Sequence, residues 1–331
     1  MESELRTSRR VHAAIGTAAP RGGKGVRLAV AATLLLLASV GPPSARSADG
    51  ADPVAAARRL REQAAALAPL PDTGSGITRD VGSIAVIEHD GSNYDAADPD
   101  GIPRYTARAP VAQRFYQTHG DNYDFLVVFT NFEFDTHIDG GGSAIAFHNL
   151  VRNDVLGTGQ AVGDSGALFG SPGRLLGYVD MAAIARYGKA PLNLRPDYPL
   201  STAPGDPGFR DTLNVLAHEV GHQWLAYARF RDASGAVSSD LLDGSRAHWS
   251  AAFDSDGSVM NGTDWVAGPG GTYSVGRTVD TYSSLDLYLM GLLDPARVGA
   301  LTLLRSAGID PSHVPTDPTT VSATPETIGV G

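Results

Sequence analysis

The chain has 331 residues, 42% of them hydrophobic, which is enough to bury a sizeable core in one large domain or two small ones. Its formal net charge is -10 and no run of Lys and Arg follows the N-terminal region, which argues against nucleic acid as a partner because phosphate binding needs clustered positive charge. The absence of cysteine excludes disulfide bonds and a catalytic thiol.

The first 48 residues are predicted to form an export signal. Arginines between Arg6 and Arg27 give a basic start, residues 28–40 (LAVAATLLLLASV) form an apolar core, and small residues near Ser47 and Ala48 suit cleavage. The apolar core is shorter than the roughly 20 residues that span a bilayer. The sequence therefore predicts a secreted protein, extracellular or periplasmic, with no membrane attachment after cleavage. An uncleaved N-terminal anchor is the alternative.

Residues 49–77 are predicted to form an N-terminal helix and a linker. Residues 52–68 (DPVAAARRLREQAAALA) are rich in alanine, with Asp52 as N-cap and Pro53 in the first turn. The following PLPDTGSG ends the helix, because Pro and Gly interrupt helices. The segment either is a propeptide or packs on the domain that follows it, and the sequence leaves both interpretations open.

Between residues 78 and 200 the chain alternates strand candidates with short helices. Residues 123–134 (YDFLVVFTNFEF) give the strongest strand prediction, because β-branched and aromatic residues dominate them. The glycine turn in DGGGSAIAFHN precedes another strand. The same patterns predict four further elements, namely strands at 83–88 and 175–181 and helices at 111–118 and 182–187.

The second half contains two predicted helices in an irregular, glycine-rich setting. The first helix carries LNVLAHEVGHQWLAYARF, residues 213–230, and the second covers residues 284–293. Residues 311–331 are rich in Pro, Thr and Ser, which indicates a flexible tail, and the lack of a closing element suits a truncated chain. Strands followed by helices predict an α+β fold, with one two-lobed domain at residues 78–310.

Two histidines and a glutamate in the first of these helices have the spacing of a metal motif. Positions i and i+4 of an α-helix lie on one face, so His218 and His222 point at a common ligand, and Glu219 reaches a water held there. Two surface histidines on an amphipathic helix are the alternative. Apolar residues support a helix independently, since they recur every three or four positions, at Leu213, Leu216, Val220 and Trp224.

The sequence HEVGH, with the order of strands, helix and irregular second half, resembles the zincin metallopeptidases. The resemblance implies a zincin-like α+β fold, in which a mixed twisted sheet and the active-site helix form an upper lobe above an irregular, helical lower lobe. It also implies a Zn²⁺ cofactor, with His218 and His222 as ligands and Glu219 as the general base. Residues 78–310 are then expected to be the catalytic domain.

The motif itself leaves the third zinc ligand open. A thermolysin-like site takes a later glutamate, but the only Glu after His222 is Glu326, in the predicted tail. A compact metzincin site continues with a glycine and a third histidine, where this chain has Leu225 and Ala228. Both common completions of the motif are therefore disfavoured.

Two residues remain as candidates for the third ligand, and both are normal zinc donors. His248 is followed by Met260, which resembles the methionine turn beneath a metzincin metal, in a leishmanolysin-like arrangement with residues 223–247 inserted before the third ligand. Asp286 is the alternative ligand, although an acidic residue in the first turn of a helix is favourable without a metal. If His248 is the ligand, Asp286 is expected to orient a histidine.

Further polar residues are candidates for supporting roles. Tyr282 and Tyr288 are possible donors to the oxyanion of hydrolysis or contacts of a metal ligand, and packed aromatic side chains are the alternative. The sequence DSDGS, residues 254–258, resembles part of a calcium loop but lacks the remaining spaced ligands, so a turn is predicted. Residues 123–134, or the strand after them, are expected to form the sheet edge on which an extended peptide lies.

The predicted function is that of a secreted zinc-dependent endopeptidase acting on a peptide or protein substrate. The alternative is a non-catalytic surface or binding protein on a zincin scaffold, which the intact Glu219 disfavours because a binding module needs no general base. No nucleic-acid partner is expected, and no membrane partner after signal cleavage. The sequence leaves the oligomeric state and the preferred peptide open.

Overall fold

The structure is a computed structural model that combines a few helices with mainly antiparallel sheets, which is an α+β architecture. The predicted N-terminal helix at 52–68 and most of the predicted export signal lie outside the described residues. No helix in the described part of the chain is long and apolar enough to cross a membrane. The described residues are 27–31, 78–88, 94, 105–132, 146–184, 207–276, 281–315 and 319–329.

The largest sheet has six strands in the order β2-β3-β1-β4-β8-β5. Strands β4 and β8 are parallel, and the other neighbouring pairs are antiparallel. Strand β5 lies at one edge of this sheet. Its strands are β1 Arg27–Ala31, β2 Thr78–Val81, β3 Ile84–Glu88, β4 Phe125–Thr130, β5 Phe147–Leu150 and β8 Gly177–Ala183, and β6 Arg152–Asn153 pairs with β7 Gly163–Asp164 in a separate hairpin.

Strand β1 lies within the stretch that is predicted to be an export signal. Its backbone pairs with β3 on one side and with β4 on the other. The pairing does not test whether this segment is removed on export, so the signal and the secreted location stay predictions.

Alternate residues of the central strands face two different cores, as the period of two in a strand requires. On one face, Leu126 and Tyr178 pack with helix α1, which spans Tyr105–Tyr116. On the other face, Val127 and Val179 pack with helix α2, which spans Pro207–Gly221. Because both faces are covered, β8 is buried along its whole length. Helix α2 is thereby held against the sheet beside the edge strand β5.

The second half of the chain is built mainly from short strands around its own core. Trp249, Phe253, Met260 and Leu285 lie in this core. The strands form one two-stranded and two three-stranded sheets, in the orders β10-β9, β11-β14-β16 and β12-β13-β15. The elements are β9 Phe230–Arg231, β10 Val237–Ser238, β11 Phe253–Asp254, β12 Trp265–Ala267, β13 Thr272–Val275, α3 Ser284–Leu289, β14 Leu301–Arg305, β15 Thr320–Ser322 and β16 Thr324–Ile328.

The expectation of a flexible tail at 311–331 is wrong for the described part of that segment. Strand β15 pairs with β13 and strand β16 pairs with β14. The Glu326 carboxylate accepts hydrogen bonds from the Arg305 guanidinium. Thr and Val favour strands, and Pro325 is tolerated because β16 is an edge strand. The folded domain therefore extends beyond the predicted boundary at residue 310.

Four predicted helices have different bounds in the structure. The helix predicted at 111–118 is α1, which begins at Tyr105 and ends at Tyr116. The helix predicted at 182–187 is wrong at its start, because Ala182 and Ala183 continue strand β8, and residues 185–187 lie outside the described residues. The motif helix begins earlier than residue 213 and ends at Gly221. The helix predicted at 284–293 ends at Leu289, with Met290 as its C-cap.

Candidate metal centre

Helix α2 presents His218 from its last turn. The helix ends at Gly221, and His222 lies in the turn that follows, where Gln223 N donates to Val220 O in the tighter pattern that closes many helices. The ring centroids of His218 and His222 lie 5.0 Å apart. The two motif histidines therefore face one site although only the first is helical.

Met260 packs directly beneath this turn. Its side chain is fully buried, and its Sδ lies 2.5 Å from the position that a Cβ on Gly221 would take. Leu225 Cδ1 lies 2.7 Å from the same position. Glycine is unfavourable in a helix, and this close approach is the physical reason for Gly221. The predicted methionine turn thus lies against the end of the ligand helix.

His248 reaches the same site from the segment between β10 and β11. Its ring centroid lies 5.0 Å from that of His218 and 5.1 Å from that of His222. The Nε2 atoms of His218 and His248 are 3.2 Å apart. One potential ligand atom from each of the three histidines lies within 4.8 Å of the others. Asp286 does not belong to this group.

The hydrogen bonds of two rings fix which nitrogen carries the proton. Nδ1 of His218 lies 2.8 Å from the carbonyl oxygen of Val259, and because a carbonyl only accepts, Nδ1 is the donor. Nδ1 of His248 lies 3.4 Å from Oδ2 of Asp243, and a carboxylate also only accepts. In the neutral rings, Nε2 of each then carries a lone pair. The two lone pairs point at each other, which requires a proton or a cation between them.

His222 distinguishes a cation from a shared proton. Its Nε2 is buried and has no hydrogen-bond partner. A proton shared by His218 and His248 leaves this third nitrogen unpaired, at a cost of about 1–3 kcal/mol. Zn–N bonds of roughly 2.0–2.1 Å in a tetrahedral arrangement place two ligand nitrogens about 3.3 Å apart. The observed 3.2 Å between His218 and His248 and the free nitrogen of His222 both fit a zinc ion.

Glu219 follows His218 on helix α2 and is only 4% exposed. The backbone N–H of His148, in the edge strand β5, donates to its carboxylate. The other carboxylate oxygen, Oε2, is buried without a partner. The carboxylate is thus bonded to the sheet edge, while Oε2 keeps a free lone pair.

Burial sets the protonation of these groups. It lowers the pKa of His218 to about 3, the nearby His248 lowers it further, and the bond to the Val259 carbonyl acts in the opposite direction. Burial also lowers the pKa of His222 and raises that of Glu219 well above the usual range for a carboxyl. The motif histidines therefore stay neutral, which is the form that binds a metal, and Glu219 has a high affinity for a proton.

Asp286, the predicted alternative ligand, is completely buried and accepts hydrogen bonds from residues other than the three histidines. Its Oδ1 accepts from Trp249 Nε1 at 2.8 Å, and its Oδ2 accepts from Ser258 Oγ at 2.5 Å and from Ser283 N at 2.8 Å. Among the described residues it forms no hydrogen bond with a histidine ring, contrary to the expectation that it would orient one. Instead it bonds Trp249, which follows His248 in the chain, and Ser258, which precedes Val259.

Tyr282 and Tyr288, the two tyrosines predicted to support the site, make contacts with other parts of the protein. Tyr282 Oη donates to the carbonyl oxygen of Ala217 in helix α2 at 2.6 Å. Its proton is therefore committed to anchoring the helix. Tyr288 is partly buried against the core of the second half. Burial, followed by the charges of Asp286 and Glu219, raises the pKa of Tyr282.

The DSDGS segment forms a turn, as predicted, with left-handed backbone at Asp256 (φ 53°) and Gly257 (φ 71°). Asp264, which the sequence interpretation missed, brings a third carboxylate within 4.8 Å of those of Asp254 and Asp256. Burial, with the neighbouring carboxylates, raises the pKa of Asp254. Asp256 is exposed to solvent, so this group is an acidic patch rather than an enclosed site.

Two further residues at the metal centre were missed by sequence reasoning. Asp243 lies against Nδ1 of His248, and Tyr227 Oη lies 3.4 Å from Nδ1 of His222. Asp243 is five positions before His248 in a Gly- and Ser-containing turn, a pattern that suits side-chain to backbone bonding. Tyr227 carries no such signal, because its contact depends on how the chain turns after the helix.

Compared with known proteins, the chain matches no family model, no curated protein and no solved structure. The function is therefore argued from the geometry of the metal centre.

Proposed function

We propose that this protein is a zinc-dependent endopeptidase with a zincin-like fold, exported from the cell and acting on peptide or protein substrates. The observation that supports it most is the convergence of one ring nitrogen each from His218, His222 and His248, in a motif whose Glu219 has a buried Oε2 without a partner. Three imidazoles and one adjacent carboxylate are the side chains that metal-assisted hydrolysis requires.

The chemistry is divided between the metal and Glu219. His218, His222 and His248 would hold a zinc ion, which would supply Lewis acidity and lower the pKa of water at the site to about 7. Glu219 Oε2 accepts the proton of the attacking water and then donates it to the leaving amine. The backbone N–H of His148 keeps the carboxylate oriented during both transfers. The burial that raises the pKa of Glu219 helps it to retain the proton between them.

The substrate backbone is proposed to lie along strand β5. This strand is the edge of the six-stranded sheet, and one of its residues, His148, already contacts the general base through its backbone. An extended peptide that pairs with such an edge gains main-chain hydrogen bonds. The scissile bond of a peptide bound there lies next to Glu219.

The test of the mechanism is Glu219→Gln. The variant is expected to fold and to keep its zinc, while kcat/KM on a casein-derived peptide falls by about 10²–10⁴-fold, the usual contribution of a general base. Glu326→Gln, which removes a carboxylate far from the motif, is the matched control and should keep full activity. Retained activity in Glu219→Gln contradicts the mechanism.

The identity of the third ligand is tested by zinc content. His248→Ala should lose stoichiometric zinc, whereas Asp286→Ala and the control His313→Ala should retain it in whatever fraction stays folded. Loss of zinc in Asp286→Ala but not in His248→Ala contradicts the assignment. A wild-type protein that binds zinc and cleaves no peptide supports the alternative, a binding protein on the same scaffold.

A further inference from the structure

The second histidine of the motif is the ligand with the least regular backbone. His218 lies on helix α2, but His222 lies after the helix ends at Gly221. Because a histidine outside a helix is not oriented by helical geometry, its ring needs another support. Val259 gives that support to His218 and Asp243 gives it to His248.

Tyr227 is the residue in contact with the remaining ring nitrogen. Its Oη lies 3.4 Å from Nδ1 of His222. The chain returns to the ring because Ala226, which is fully buried, adopts a left-handed backbone with φ 61°. When Nε2 of His222 faces the metal, Nδ1 carries the hydrogen and donates it to the tyrosine oxygen.

The hairpin of β6 and β7 holds Tyr227 from the other side. The Gln160 side chain hydrogen bonds with Tyr227, and its Nε2 donates to the backbone carbonyl of His222 at 3.5 Å. Gln223 Nε2 donates to the carbonyl of Arg152 at 2.8 Å, which ties the hairpin to the end of the ligand helix. The hairpin is thus bonded to His222 and to the residue after it.

Gly159 shows how closely this hairpin approaches Tyr227. A Cβ built on Gly159 would lie 2.1 Å from the carbonyl oxygen of Tyr227. Gly157, two residues earlier in the same loop, has a similar left-handed backbone but nothing within 4 Å of its Cβ position. Both glycines therefore have a left-handed backbone conformation, and they differ in that only Gly159 lies against Tyr227.

We propose that Tyr227, supported by Gln160, is the positioning residue of His222. It does not touch the metal or the substrate. It fixes the ring so that Nε2 meets the position shared with His218 and His248. The inference rests on the proposed metal site, and it extends that site to a hairpin more than 60 positions earlier in the chain.

The experiment is Tyr227→Phe, with zinc affinity measured by competition with a chelator and the Co²⁺ form examined by visible absorption. Loss of a partner of this kind weakens metal binding by about 10–100-fold. The cobalt bands should shift, because the coordination geometry changes, whereas a purely structural role leaves them unchanged. Tyr273→Phe, in strand β13 of the second half, is the matched control and should bind both metals as the wild type does.

Gly159→Ala gives a second test that does not alter the tyrosine. Like Tyr227→Phe, it should weaken zinc binding, because the added methyl group displaces Tyr227. In contrast, Gly157→Ala should lower stability without changing metal affinity. This pair decides the question if Tyr227→Phe does not fold. Unchanged zinc affinity and cobalt spectrum in Tyr227→Phe, or equal effects of the two glycine variants, overturn the inference.

The outcome is separable from that of the proposed function, because no substrate enters these measurements. A wild-type protein that binds neither zinc nor cobalt overturns the metal site and the role of Tyr227 together. A wild-type protein that binds zinc without cleaving peptides leaves the role of Tyr227 to be decided by the variants alone.

Discussion

In the candidate metal centre, Nδ1 of each histidine lies near a different kind of oxygen: a carbonyl for His218, a phenol for His222 and a carboxylate for His248. A carboxylate partner increases the basicity of an imidazole ligand. Burial acts to raise the pKa of Asp243, but hydrogen bonds from His248 and Ser245 outweigh it and lower the pKa. Asp243 is therefore ionised, and its negative charge lies against the Nδ1 side of the His248 ring.

His148 is a buried base whose effect on stability depends on pH. Burial lowers its pKa from 6.5 to about 3, Gln223 acts in the opposite direction, and neither ring nitrogen meets hydrogen-bond geometry. The folded state disfavours the charged ring. The free energy of unfolding is therefore not reduced by His148 above pH 6.5, and it decreases as the pH falls from 6.5 towards 3. The loss between pH 7.5 and pH 5 is about 2 kcal/mol.

Urea unfolding of the metal-free protein at these two pH values measures this effect. In His148→Gln the decrease in the free energy of unfolding should be smaller than in the wild type by that amount. His313→Gln removes an exposed histidine and should leave the decrease unchanged. An equal pH dependence in the wild type and His148→Gln refutes the effect.

At the scale of residues, the sequence identifies candidate site residues that stand at a characteristic spacing in the chain. His218, Glu219 and His222 are proposed from their spacing alone, and His248 is one of the two residues, with Asp286, that the sequence leaves for the third position. Asp243 and Tyr227 are not found this way, because their contacts are made by turns whose directions depend on packing. The role of Asp286 as a buried acceptor of three hydrogen bonds is likewise invisible until Trp249 and Ser258 are placed beside it.

At the scale of elements, helix α2 ends at Gly221, where Met260 packs closely against it. Gly221→Ala gains about 1 kcal/mol of helix propensity and loses about 1–3 kcal/mol through overpacking, so a net destabilisation of roughly 1 kcal/mol is expected. Unfolding in urea measures it. Combining Gly221→Ala with Met260→Ala should remove the overpacking, so the two changes together should cost less than their sum. If the two free-energy changes are strictly additive, the contact between Gly221 and Met260 is not the cause of the destabilisation.

Helix α3 joins two parts of the metal centre through Asp286. Removing one buried charged acceptor of three hydrogen bonds leaves Trp249, Ser258 and Ser283 without a partner, so Asp286→Ala should destabilise the protein by about 3 kcal/mol or more. Thermal unfolding measures the loss. Asp294→Asn, at an exposed cap that accepts one backbone hydrogen bond, should cost less than about 1 kcal/mol. Similar costs for both variants contradict the special role of Asp286.

Strands with strong local patterns were the most predictable elements. The strands predicted at 83–88, 123–134 and 175–181 correspond to β3, β4 and β8, because β-branched and apolar residues mark them. Their ends, and the ends of the helices, are decided by tertiary contacts. Strands β15 and β16 were missed because their Pro- and Thr-rich sequence becomes regular only through pairing with β13 and β14.

At the scale of the whole molecule, bound zinc is expected to stabilise the fold. A ligand that binds only the native state at 100 times its Kd adds about 2.7 kcal/mol to the free energy of unfolding. A chelator should therefore lower Tm, and zinc should restore it, whereas magnesium should not because it prefers oxygen ligands. His248→Ala is the control and should show no response to zinc. A chelator-insensitive Tm in the wild type contradicts zinc binding by the folded protein.

The segment between His222 and His248 begins and ends at the metal centre. An ion held by both residues connects two positions that are distant in the chain, as a disulfide bond does, in a protein that has no cysteine. Unlike a disulfide bond, such an ion is released when its ligands separate, so it stabilises the folded chain without restricting the unfolded one. Metal loading and resistance to unfolding would therefore rise and fall together.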